Sequence, residues 1–180
     1  MIVLGIDPGS RFTGYGVIDV EQNRVVEFGV LNLSTLDDPH LRLQAVYERI
    51  GDVIERCLPD ECAVEMPVYG SNAQAMLKLG RAQAAAILAA LNRGLPVAQY
   101  TPKEIKKSVT GNGDAAKVQV RYMVCALLAL DQTASMALDS SDALAIGLCH
   151  ARRRKGITTG VSKTWEAFVR ENPGRVRSGS

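Results

Sequence analysis

The sequence predicts an α/β protein built on one five-stranded mixed sheet flanked by helices, and three observations carry that expectation. Three β-rich runs open the chain in succession, the second and third joined by a four-residue hairpin connection, so these strands pair antiparallel. Two later apolar runs each follow a long stretch of helical period, the spacing of a crossover connection. The chain has 180 residues, 47% of them hydrophobic, enough for one domain with a sizeable core.

The elements follow in order. Ile2–Ile6 is a short apolar strand ending at the turn Asp7-Pro8-Gly9. Gly14–Val20 and Val25–Leu33 are the next two strands, joined through Glu21-Gln22-Asn23-Arg24. Leu41, Ile50, Val53, Ile54 and Cys57 keep helical spacing over Leu41–Leu58, where Pro59 ends the helix. Cys62–Met66 is the fourth strand, stopped by Pro67, and a loop covers 69–74. The Ala-rich stretch Gln74–Asn92 predicts a long helix, with Gly94 and Pro96 just beyond its end. Val97–Tyr100 is the fifth strand. Thr101-Pro102-Lys103-Glu104 opens another helix, with Pro at its first position and Glu completing a capping box. Gly111-Asn112-Gly113 is a turn, and helices are expected over Ala115–Leu130 and Leu138–Arg153. Residues 1–154 form the expected domain. Residues 155–180 form a basic, Gly/Ser/Thr-rich tail with one short amphipathic helix over Ser162–Glu171.

Composition excludes several classes. No basic segment precedes an apolar run at the start, so a secretory signal is not expected. The small-apolar stretch Ala84–Leu91 falls far short of the ~20 residues of a membrane span. Cys57, Cys62, Cys125 and Cys149 make no C-x-x-C pair and the histidines are only His40 and His150, a poor basis for a zinc site. A cytoplasmic protein is the expectation. The net charge of +2 hides a division along the chain: residues 1–77 carry 5 Lys/Arg against 12 Asp/Glu, whereas residues 78–121 and 151–180 each carry 8 against 2. Basic segments beside a carboxylate-rich one suit an enzyme that grips a polyanion while holding cations.

Four carboxylates are the candidate chemistry: Asp7, Glu65, Asp139 and Asp142. Taken singly, each has a plain structural use. Asp7 opens an Asp-Pro-Gly turn, although Pro8 biases it to extended geometry at the strand end. Glu65 shares a strand face with Ala63, which is either solvated or covered, and a covered glutamate needs a partner or a metal. Asp139 reads as a helix cap with Asp142 three residues on, both projecting to one side. Together they are the hard oxygen donors that Mg²⁺ prefers, and two such ions side by side can clamp the attacking and leaving oxygens of a phosphodiester.

Five co-linear motifs carry a resemblance. G-I-D-P-G-S-R-F-T-G-Y-G-V-I (Gly5–Ile18), A-V-E (Ala63–Glu65), L-K-L-G-R-A-Q (Leu77–Gln83), P-K-E-I-K-K-S-V-T-G-N-G (Pro102–Gly113) and D-S-S-D-A-L-A-I (Asp139–Ile146) closely resemble the RuvC family of bacterial Holliday-junction resolvases, from about Ile2 to Arg152. The resemblance implies an RNase H-like fold with its acidic positions on Asp7, Glu65, Asp139 and Asp142. It implies two Mg²⁺ ions, with Mn²⁺ as an alternative, and a homodimer that nicks opposed strands of a four-way DNA junction in recombination and repair. It also implies cooperation with a branch-migration complex of the RuvA and RuvB type. The family's DNA-handling lysines fall on Lys106 and Lys117. The dimer interface is expected on Gln74–Asn92, where Gly80, Ala84 and Leu91 permit close packing.

The chain departs from the family pattern after the strand glutamate. Met66 and Pro67 follow it, Val68 occupies the usual place of a wedging aromatic, and the wedge or stacking role passes to the adjacent Tyr69. Two rival classes share some features. Actin-like and sugar-kinase folds also begin with a G-x-D-x-G strand-turn, but they need a second domain, and neither a repeat of the first half nor a G-x-x-x-x-G-K-[ST] loop is present. A non-catalytic junction scaffold would have no need of all four acids.

Overall fold

The computed structural model describes residues 1–67, 72–130, 138–154 and 156. Tyr69, the tail helix expected over 162–171 and nearly all of the segment 155–180 lie outside the described residues. The elements are β1 (Ile2–Asp7), β2 (Phe12–Asp19), β3 (Arg24–Asn32), α1 (Pro39–Cys57), β4 (Glu61–Glu65), α2 (Ala73–Leu91), β5 (Val97–Tyr100), α3 (Pro102–Thr110), α4 (Lys117–Leu127) and α5 (Leu138–Arg154). The strands lie in the order β3-β2-β1-β4-β5. The β1–β2 and β2–β3 pairs are antiparallel, and β1–β4 and β4–β5 are parallel. The predicted mixed sheet is therefore present, with β1 at its centre.

Strand alternation divides the core in two. Val3 and Ala63 face α3, α4 and α5, packing among Val109, Met123, Leu144 and Ile146. Leu4, Ile6, Cys62 and Val64 face α1 and α2, against Val46, Ile50, Ala86 and Ala89. Because side chains repeat every second residue, Asp7 and Glu65 fall on the same face as Val3 and Ala63, the side that α5 covers.

Helix ends follow local chemistry, and here three expectations are corrected. α1 starts at Pro39, not Leu41, because Asp38 accepts the His40 N–H at 2.7 Å and Pro39 is pre-set for the first turn. α4 spans Lys117–Leu127, not 115–130. The Gln119 side chain accepts the Ala116 N–H at 2.8 Å, so the helix starts after Ala116, and Ala129 turns out of helical geometry at φ 52°. α5 starts at Leu138, so Asp139 is not a cap but sits inside the first turn, where its charge still meets the positive end of the helix dipole. The Thr101–Glu104 capping box is present as expected.

Close approach of α5 to the sheet depends on missing side chains. A methyl added at Gly5 would stand 2.1 Å from the Ala143 carbonyl oxygen, and one at Gly14 would stand 2.1 Å from that of Asp139. The far end of α5 is pinned by a chain of polar contacts: Tyr100 Oη to His150 Nδ1 at 2.8 Å, His150 Nε2 to Glu61 at 2.5 Å, and Arg154 to the other oxygen of Glu61 at 2.5 Å. Burial alone would raise the Glu61 pKa, but His150 and Arg154 together hold it below its ordinary value. No helix among the described residues is long and apolar enough to cross a membrane.

Glu27 joins three elements on the opposite face. It accepts two bonds from Arg56 of α1, at 2.9 and 2.5 Å, and one from the Tyr15 hydroxyl at 2.9 Å. The Arg56 bonds, then those of Tyr15 and Cys57, outweigh burial and bring its pKa from 4.5 down to about 2. A carboxyl depressed in the folded state contributes stability that is complete above its unfolded pKa and fades as pH falls toward the folded one. Glu27→Gln is therefore expected to lower the melting temperature at pH 7. That gap should shrink steadily below about pH 4.5, and a gap that stays constant into acid would refute the linkage.

Candidate active site

The four candidate carboxylates come from three separate elements. Asp7 ends β1 and Glu65 ends the neighbouring parallel strand β4, whose register pairs Gly5 with Ala63 and Ile6 with Val64. Asp139 and Asp142 lie one helical turn apart at the start of α5. One carboxylate oxygen from each of Asp7, Asp139 and Asp142 lies within 4.8 Å of the others. Among the described residues, this is the one group of three or more His, Cys, Asp or Glu close enough to share an ion. Glu65, at the end of the adjacent strand, lies near enough to Asp7 for the two carboxyls to influence each other.

Several local contacts hold these groups in place. The buried Thr13 hydroxyl donates to the Gly9 carbonyl at 3.0 Å and accepts the Gly9 N–H at 3.3 Å, fixing the loop that follows Asp7. Gln83 of α2 donates to the Glu65 carbonyl at 3.1 Å, and the Met66 N–H donates to the Tyr100 carbonyl at 2.8 Å, anchoring the end of β4. The Ser141 hydroxyl donates to the Leu138 carbonyl at 2.7 Å in the first turn of α5. Thr13 and Gln83 were not singled out from sequence as positioning residues. Each lies inside a motif, and a threonine beside Gly14 on a covered strand is the signal the sequence offers.

The cluster opens into a cleft of about 330 Å³ lined by Asp7, Glu65, Asp142, Lys106 and Lys117, with apolar walls that include Ile105 and Val120. Lys117 Nζ lies 3.0 Å from Asp142 Oδ2, which raises the lysine pKa. Lys106 lines the same cleft from α3, so both predicted lysines reach the site.

Electrostatically the site carries more negative charge than its own residues answer. Burial first, then the charges of Asp142 and Asp139, raises the Asp7 pKa above the ordinary carboxylate value, against the opposing Glu65 bond and Lys117. Glu65 is raised by burial and then by Asp7, with Asp142 adding to the effect. Four carboxylates share the site with two lysines, of which Lys117 is ion-paired to Asp142, so the donor set fits a hard divalent cation held by oxygens.

The family model "Crossover junction endodeoxyribonuclease RuvC" matches residues 3–150. The chain belongs to the RuvC family. A relative from Salinibacter ruber, named crossover junction endodeoxyribonuclease RuvC, is 55% identical over 179 residues, covering 98% of this chain and 99% of the relative. The structure of Thermus thermophilus RuvC superposes with a TM-score of 0.77 at 34% identity, over 87% of this chain and 97% of that one. T. thermophilus RuvC in complex with a Holliday junction substrate gives the same TM-score at 32% identity, over 87% and 96% of the two chains. The sheet order and helical layers are thus those of a RuvC-type, RNase H-like fold.

Proposed function

We propose that this chain resolves four-way DNA junctions by metal-dependent hydrolysis of phosphodiesters in two opposed strands, serving recombination and repair. The observation that carries this reading is the convergence of carboxylates from β1, β4 and α5 at one cleft whose rim bears Lys106 and Lys117. Family membership supports the same reading.

Asp7, Glu65, Asp139 and Asp142 are the residues we assign to hold two Mg²⁺ ions, with Mn²⁺ as an alternative. When bound, such ions lower the pKa of a water and neutralise charge on the leaving 3′ oxygen. Asp7 is grouped with Asp139 and Asp142 and also interacts with Glu65, so it is the residue suited to serve both ions. Lys117 steadies Asp142 and offers its remaining N–H groups to a phosphate oxygen. Lys106, which lines the same cleft from α3, supplies a second positive charge. Tyr69 is assigned the wedge role at the junction centre, and residues 155–180 a segment separate from the nuclease domain.

Cutting two symmetry-related strands requires two sites related by a twofold axis, so a homodimer is part of the proposal. Helix α2 supports it with an exposed apolar stripe at helical spacing: Leu77, Leu88 and Leu91 are 56%, 52% and 53% exposed, with Ala84 between them. Beside this stripe, a methyl added at Gly80 would have no atom within 4 Å. Leu88→Glu is expected to give a folded monomer by sedimentation at micromolar concentration and to lose paired cutting. Wild-type protein that sediments as a monomer while retaining full junction activity would refute the dimer. A branch-migration complex of the RuvA and RuvB type is the assigned partner, and the bacterial cytoplasm the assigned compartment.

The deciding experiment incubates the protein with a synthetic four-way junction and with a linear duplex, each with and without Mg²⁺. Symmetric nicks on the junction alone, and only with metal, are expected. Nucleotide hydrolysis without nicking would favour the actin-like alternative, and tight binding without either would favour a scaffold.

A further inference from the structure

A second cavity, of about 630 Å³, lies on the other side of the β1–β2 loop from the acidic cleft. The start of α1, Gly9 and Ser10 of the loop, and the N-terminal half of α2 wall it. Its charged lining is lopsided. Arg42, Lys78, Arg81 and His40 stand against one carboxylate, Asp37. Lys78 and Arg81 are exposed, and among the described residues neither is paired with an acid. Arg42 is tethered through Nε to the Leu36 carbonyl at 2.5 Å, which fixes its guanidinium near the groove. His40 already faces Asp38 at 3.2 Å, so the three long cations carry the argument.

The groove and the acidic cleft share their dividing wall. Asp7 and Pro8 line the cleft, and the next two residues, Gly9 and Ser10, line the groove. On α2, Leu79 lines the cleft while Lys78, Arg81 and Ala82 line the groove. A polyanion leaving the cleft across this loop therefore passes directly into a positively charged channel. Each DNA strand carries a phosphate about every 3.4 Å of helix axis, so a duplex arm presents several phosphates to cations spread along such a channel.

We propose that this groove grips the sugar–phosphate backbone of the junction arm beside the cut, through Lys78, Arg81 and Arg42. The proposal rests on the junction-cleaving function assigned above and adds where an arm leaves the active site. Contacts of this kind fix the position of the DNA without reading bases. The absence of acidic partners for Lys78 and Arg81 among the described residues fits this role, because an internal salt bridge would have to break before phosphate could bind.

The test compares the wild type with Lys78→Glu/Arg81→Glu for binding to a synthetic junction across a salt series, in buffer containing EDTA so that no cutting occurs. A second double variant, Arg24→Glu/Arg49→Glu, makes the same charge change outside the groove. The groove variant is expected to bind the junction at least tenfold more weakly at 0.1 M salt. Its slope of log affinity against log salt should fall by about 2 for each groove engaged. The control should keep the wild-type slope. Unchanged affinity and slope in the groove variant would overturn the proposal, as would an equal loss in the control, which would reduce the effect to net charge. If the Glu variant unfolds by circular dichroism, Lys78→Gln/Arg81→Gln provides the same comparison, and a weaker or an unchanged affinity and slope then carry the same meanings. Failure of the wild type to nick junctions in Mg²⁺ would instead overturn the assigned function, and the two failures are distinguishable.

Discussion

Asp7→Asn is expected to abolish Mg²⁺-dependent nicking, by about 10²–10³-fold or more, while leaving junction binding largely intact. The substitution keeps the size of the side chain and removes the charge at the point where β1, β4 and α5 converge. It should also make the metal-free protein more stable at neutral pH. Burial and neighbouring acids raise the Asp7 pKa in the fold, so its ionised form is disfavoured there. A carboxyl raised on folding contributes most when protonated, and that contribution is lost as pH climbs out of the ordinary carboxylate range. At pH 8 without divalent ions, the Asn variant should therefore melt above the wild type, and the difference should close near pH 4. Adding Mg²⁺ should stabilise the wild type more than the variant, because an ion that binds only the folded site stabilises it by mass action. Wild-type nicking by Asp7→Asn, or melting curves that ignore both pH and metal, would show that Asp7 is not at the ionic centre. The pattern is that of a site that gives up stability for chemistry.

The acidic centre was legible in the sequence because the relevant geometry is local to each element. Period-two alternation places Asp7 with Gly5 and Val3, and Glu65 with Ala63, so two strands determine which face their carboxylates occupy. The i, i+3 spacing places Asp139 and Asp142 on one side of a helix. Which face α5 covers was not readable from these spacings. Gly5, Gly14 and Gly16 leave room for a close partner, which is the backbone of α5 at Gly5 and Gly14 and the Leu144 side chain and backbone at Gly16. Contacts between distant residues were equally hidden. The Lys117–Asp142 pair spans 25 positions and the His150–Glu61 pair 89. From sequence, His150 has no assigned role beyond being a poor basis for a zinc site, whereas in the fold it bonds Tyr100 and Glu61. The basic groove was visible only as an excess of positive charge over residues 78–121, because Arg42 joins it from another helix.

Gly14→Ala should cost both stability and activity, and Gly147→Ala at the same helix–sheet interface should cost little of either. At Gly14 the new methyl would stand 2.1 Å from the Asp139 carbonyl oxygen and 2.6 Å from its carbon, distances that backbone cannot tolerate. The start of α5 must move outward, and Asp139 and Asp142 move with it. Overpacking of this kind costs typically about 1–3 kcal/mol, and a clash with backbone belongs at the upper end. The loss of nicking should exceed what the fraction of unfolded protein explains, because the displaced residues are proposed metal ligands. At Gly147 the nearest atoms are the Ile18 Cδ1 and Cγ1, at 3.3 and 3.5 Å, the end of a side chain that can shift by a few tenths of an ångström. Alanine also gains about 0.5–1 kcal/mol over glycine inside a helix, which offsets that adjustment. Thermal melts and single-turnover nicking of the two variants, side by side, measure the contrast. Equal tolerance at both positions would mean that α5 can slide on the sheet without disturbing the acids. The tight fit of α5 against β1 and β2 would then not be what assembles the site.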